Sequence, residues 1–201
     1  MLSRLATSAA VLSLLAAAAS GQVIHFESNG LKYQTLTRAG VTVMFAQMPQ
    51  VRDFAVLQVA VSNGSGGPYV IRPEDFSFVR PDGAATRAWP ARDVVDLLID
   101  KGGRNDVIRL VSAYELALYG NTRLRPTNGY EARRQAALAE VSSTRLKAAA
   151  AASAIALVQT RLAPGQSTDG AVFFQLPPTD RRAPGRLVVR TNTDTFLFDA
   201  E

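Results

Sequence analysis

The residues able to do chemistry in this chain are few. There is one histidine, His25, and no cysteine. A nucleophile–histidine–carboxylate relay needs an imidazole held by its neighbours, and a histidine metal site needs more than one. His25 stands close behind an N-terminal leader, in a stretch expected to be mobile, and reads as inert. Lack of cysteine removes thiol catalysis, thiolate metal sites and disulfide staples together. Asp93, Asp96 and Asp100 fall at i, i+3 and i+7, a spacing that lets three carboxylates share one helix face and hold a hard cation, but such a row also forms an ordinary solvated side, which is the reading adopted. The glycine-rich NGSGGP at residues 63–68 matches neither a P-loop nor a dinucleotide fingerprint, and no G-x-S-x-G elbow occurs. No catalytic residue and no cofactor is therefore assigned.

What remains is charge. The stretch RLRPTNGYEARRQ gathers Arg123, Arg125, Arg133 and Arg134 around Tyr130. Guanidinium groups suit planar, bidentate pairing with phosphates, anionic glycans or acidic lipid headgroups, so these five residues form the candidate binding patch, for an envelope protein or an anionic envelope polymer. The competing interpretation is a solvated helix face carrying Glu131 and Glu140. Between Lys101 and Lys147 nine basic residues meet four acidic ones, which concentrates the positive charge of the chain in its middle. No RNA- or DNA-binding motif accompanies that charge, and a nucleic-acid partner is not expected.

The elements that must carry this patch follow from hydrophobic periodicity. From Leu31 to Trp89 the pattern alternates with period two. Val41, Val43 and Phe45 share a face, and in DFAVLQVAVSNGS both faces are apolar, which predicts a central strand. Asp82-Gly83 predicts a two-residue hairpin loop in which both positions accept positive φ. The period then changes. Helices are expected over Val94–Leu98, with Asp93 as cap, then from Asn105 as cap to Gly120, and from Asn128 through the alanine-rich run to about Ser153. Strands return from Ala154 to Leu162, then in AVFFQL, and in a closing hairpin of GRLVVRT and TFLFD. Phe76, Phe78, Phe173, Phe174, Phe196 and Phe198 read as core, and Trp89 as an anchor where the strands hand over to helices. Clustered helices between two runs of short strands predict an antiparallel sandwich with a helical insertion at about residues 91–153, placed at one end or along one sheet.

The N-terminus reads as a secretory signal. Arg4 is followed by the apolar run LATSAAVLSLLAAAA and by small residues, while about 15 apolar residues fall short of the ~20 that span a bilayer. Cleavage after Ala19 and cleavage after Gly21 both satisfy a small-x-small rule. The second is preferred here, giving a signal over residues 1–21 and one domain over 22–201. Without cysteine, lipid attachment at the cleavage site is closed, so the mature chain is expected to be exported, periplasmic or extracellular, with no membrane span left.

The strand Val59-x-Val61-x-Asn63, the Asp82-Gly83 turn, and the later segment of Leu162, Pro164, Gly165, Gly170, Val172, Phe174 and Pro177 resemble the immunoglobulin-like extracytoplasmic domains of unknown function found in many bacteria. The likeness covers about half of the mature chain. It implies a mainly β, immunoglobulin-like antiparallel β-sandwich with an α-helical insertion, and it implies no activity. The chain departs from that group in lacking a lipobox cysteine and in carrying the insert. The expected function is that of a secreted, non-enzymatic binding or protein-interaction module of the bacterial cell envelope; the alternative is an envelope hydrolase working through carboxylates or a metal.

Overall fold

The computed structural model describes residues 21–120, 130–139, 143–175 and 185–200. The chain is mainly β, and its strands pair antiparallel throughout the named ladders. Strands β1 (Ile24–Ser28), β2 (Leu31–Arg38), β3 (Val41–Val51), β4 (Phe54–Asn63) and β9 (Ser167–Gln175) form a five-stranded sheet in that order. Strands β11 (Thr195–Ala200), β10 (Arg186–Arg190), β6 (Phe76–Val79) and β7 (Ala85–Arg87) form a second sheet, and β5 (Tyr69–Ile71) pairs with β8 (Thr160–Leu162).

β4 lies between β3 and β9 and is apolar on both faces, as its sequence predicts. One face, Leu57, Val59 and Val61, joins Val43, Phe45, Val172 and Phe174 in a core shared with Phe76, Leu187, Val189, Phe196 and Phe198 of the second sheet. Successive strand residues point to opposite sides, so Val56 and Phe173 face the other way. There they meet helices α1 (Ala91–Lys101), α2 (Arg104–Gly120), α3 (Tyr130–Ala139) and α4 (Thr144–Ile155). The insertion thus flanks one sheet. At the edge of the molecule Gln34 bridges the two sheets, its amide oxygen accepting from Asp199 N at 3.1 Å while its Nε2 donates to Asp199 O at 3.4 Å.

Several local expectations need correction. β1 precedes the first expected strand, and His25 sits in it, with Nε2 2.7 Å from Asp199 Oδ2 on β11, so it is placed rather than loose. Asn29 and Gly30 take φ of 50° and 72° between Ser28 and Leu31, which is the backbone of a type I′ hairpin turn, and an Asn-Gly pair was the available signal for it. Five residues, 80–84, separate β6 from β7, closed by Arg80 N donating to Ala84 O, and among them only Gly83 has positive φ; Asp82 instead accepts the Ala84 N–H at 2.9 Å through its side chain. α1 begins at Ala91 after Pro90, not at an Asp93 cap. α2 begins at Arg104 rather than after Asn105, and Asp106 accepts from Gly103 N. The long third helix is two helices, with Ser143 capping α4 by accepting the Leu146 N–H. α4 continues to Ile155, so the strand expected from Ala154 is only β8.

α4 packs on α1, α2 and α3 at once, and this is possible because Ala148, Ala149, Ala151, Ala152 and Ala154 bury no bulk. Small side chains let helix axes approach closely, so the alanine-rich run is the centre of the insert rather than a solvated face.

Candidate functional site

The outer face of β4 and β9, under the helices, holds the buried polar residues Gln58 and Asp169. In the β4–β9 register Gln58 stands opposite Ala171 and Ala60 opposite Asp169, which sets Gln58 and Asp169 as diagonal neighbours on one face. Both residues are 3% exposed. A carboxylate taken from water to this depth must be met by donors. Tyr114, fully buried on α2, donates its hydroxyl to Asp169 Oδ2. Gln58 Oε1 has no hydrogen-bond partner among the described residues.

From Tyr114 the cluster extends to α3. The rings of Tyr114 and Tyr130 lie with centroids 4.8 Å apart at 51°. Tyr130 OH reaches Glu115 Oε1 at a long 3.5 Å, and Arg134 Nε stands 2.9 Å from the same oxygen as an ion pair rather than an aligned hydrogen bond. One face of α2 therefore holds β9 through Tyr114, and the next residue holds α3. At the other end of α2, Asp106 Oδ2 accepts from Arg52 Nε at 2.9 Å, and Arg109 Nη1 donates to Gln50 O at 3.0 Å, which fixes the helix to the β3–β4 turn.

Of the five residues of the sequence-derived patch, Tyr130 and Arg134 have described side chains, and both are engaged within the fold. Tyr130 is 3% exposed and belongs to the core under the helices, a correction that follows from its ring being the cover for Tyr114. Arg134 is half-buried and paired with Glu115, so its charge is neutralised within the fold. Arg133 lies on α3, with its side chain outside what is described; Arg123 and Arg125 lie outside the described residues. The structure thus brings Tyr130 and Arg134 together as parts of a joint between α2 and α3. Asp169 and Gln58 were missed because each sits at an alternate position of a strand, where polar residues ordinarily face water. The signal that was available is the neighbourhood: Val56, Ala60, Ala171 and Phe173 on the same face are not a solvated set.

The other sites weighed from sequence resolve simply. Asp96 and Asp100 are exposed on α1 and Asp93 is partly exposed, and no group of three or more histidine, cysteine or acidic residues able to hold a metal occurs among the described residues. Asn63 is fully buried, with Nδ2 donating to Gly67 O at 2.8 Å and to Leu162 O at 3.0 Å, and Oδ1 accepting from Ser65 N at 3.0 Å. That amide ties the glycine-rich turn to the end of β8, and leaves no exposed nitrogen at Asn63 for a sugar, although Asn63-Gly64-Ser65 has the form of a glycosylation sequon. Among the described residues no helix is long and apolar enough to cross a membrane.

No family model matches the chain, and no curated protein matches it. Among solved structures it is similar to the yjhA protein from Bacillus subtilis at 10% identity, over 89% of this chain and 96% of that one, with a TM-score of 0.37.

Proposed function

We propose that this is an exported, non-enzymatic binding module of the bacterial cell envelope, built on an immunoglobulin-like sandwich and binding an anionic partner through the connection between α2 and α3. The observation that carries the proposal is the anchoring of both helices that bound residues 121–129. α2 is tied to β9 through Tyr114 and Asp169, and α3 is tied to α2 through Tyr130, Glu115 and Arg134. Arg123 and Arg125 lie, in sequence, between these two anchored helices, and connecting segments between fixed elements are where binding residues are disproportionately carried. Export is supported by the leader pattern of residues 1–21, and the sandwich by one apolar core shared between two antiparallel sheets.

The hydrolase alternative draws less support. Asp169 under the insert and Glu115 within it are engaged by Tyr114 and by Arg134 with Tyr130 respectively. The test is retention on a column of immobilised anionic envelope polymer, compared between the wild type and Arg123→Ala/Arg125→Ala/Arg133→Ala, with Arg87→Ala on β7 as a charge control. Earlier elution of the triple variant alone supports the proposal. Identical elution of wild type and triple variant, or an equal shift in the control, overturns it.

A further inference from the structure

We infer that the leader is cut between Ala19 and Ser20, so that Gly21 is a structural residue of the mature domain rather than the last residue of the signal. The inference rests on the export proposed above and names its processing site. Sequence alone leaves two cuts open, since Ala17 and Ala19 satisfy the small-x-small pattern as well as Ala19 and Gly21 do. The tertiary structure separates them. Gly21 lies against the end of β2, where a Cβ added to it would overlap the carbonyl oxygen of Thr37 and come within 3.1 Å of Leu36 Cδ1. Leu36 is buried in the core between the sheets, and Val23, two residues after Gly21, packs on the same core. Residues 21–23 therefore enter the fold as one piece, and at its first position only glycine fits against the neighbouring backbone.

A cut after Gly21 would remove that seat and create a charged α-ammonium at Gln22, one residue from the apolar packing of Val23. Keeping a charge hydrated beside such packing opposes the contact. A cut after Ala19 puts the new ammonium two residues further out. In chemical terms an envelope signal peptidase hydrolyses the Ala19–Ser20 amide. Water supplies the hydroxyl to the Ala19 carbonyl carbon, and the Ser20 nitrogen leaves as the new amine.

The experiment expresses the full chain in an exporting bacterial host and reads the first residue and intact mass of the processed product. A product that begins at Ser20 supports the inference. One beginning at Gln22, or at any other internal residue, overturns it and leaves export standing; a chain that keeps Met1 overturns export itself. Gly21→Val supplies the second reading. Two residues beyond the cut, valine should leave processing at the wild-type rate and lower the Tm of the product by roughly 4 °C or more, through overpacking against Thr37 and Leu36. Accumulation of uncut precursor, as expected for valine in the last signal position, or a processed product with unchanged Tm, overturns the inference.

Discussion

The two faces of the five-stranded sheet are built from the same strands and solve different problems. The inner face is closed by another sheet, and its buried side chains are aliphatic or phenylalanine apart from Thr168, Gln34 and Asn63, the last two of which bond to backbone of neighbouring segments. The outer face is closed by helices that bring Val94, Leu98, Leu110 and Tyr114 together with the alanines of α4 into one cluster, and there the sheet buries a carboxylate and an amide. Sheet-on-sheet packing spaces two rigid surfaces evenly and favours uniform apolar filling. Four short helices on a sheet meet it at discrete points, and polar side chains between those points set where each helix sits. The inner face supplies cohesion and the outer face supplies position.

The sharpest way to break this comparison uses adjacent residues of β9. Phe174 points into the inner core and Phe173 into the outer one. Replacement of either by alanine should cost about 3–5 kcal/mol, because both are fully buried and neither site can collapse freely. Urea unfolding followed by the fluorescence of Trp89, whose ring meets Phe54 at 5.1 Å, and by far-UV circular dichroism should show one coincident transition for both variants. If Phe173→Ala separates the two probes while Phe174→Ala does not, the insert is an independent unit and the two faces do not share one cooperative fold.

Next in size is the buried pair. Asp169→Ala leaves the Tyr114 hydroxyl without this acceptor and should cost about 1–3 kcal/mol, with Tyr114→Phe in the same range. A double-mutant cycle should show coupling, since the second change removes a group the first has already stranded. Additive losses would mean that the pair does not position α2.

Gln58→Leu tests the opposite sign. An amide oxygen buried without a partner already carries its desolvation cost, so an apolar side chain of similar length should be neutral or stabilising by up to about 1 kcal/mol in thermal unfolding. A loss of more than that would show that the amide is engaged by groups beyond the described residues. The smallest effect belongs to the rim of the inner core. Burial raises the carboxyl of Asp75 above its usual range, against the lowering influence of its hydrogen bond from Arg72 N. Its ionised form is therefore disfavoured in the folded state, and stability gained from this group rises as pH falls through its folded pKa. Asp75→Asn should reduce that acid-side gain, visible as a shallower rise in Tm as pH falls toward the ordinary carboxylate range.

How much of this was legible depends on the range of the interaction involved. Alternation in β3 and β4, the helical stripe of α2 with Leu110 and Tyr114 on it, and the closing β10–β11 hairpin are local patterns, and each reappears in the structure. The Asn29-Gly30 turn was equally local and was readable from its dipeptide. Arginine positions were readable as a list but not as a patch. Whether Arg134 is free depends on Glu115, well over a dozen residues earlier, and whether Tyr130 is exposed depends on how α3 lies on α2.

Composition, the absence of cysteine, the leader pattern and the succession of strand, helix and strand periods were determined by the sequence by itself, because each is a property of a short window of residues. The meaning of a residue inside its window was decided by tertiary structure. Gln58 and Asp169 alternate with apolar neighbours as exposed strand residues do, and only the helices laid over them turn exposure into burial. Gly21 matches a cleavage rule as well as Ala19 does, and only its approach to Thr37 gives it a place in the fold. The reason is the same in both cases: solvent access and steric room belong to contacts between distant parts of the chain.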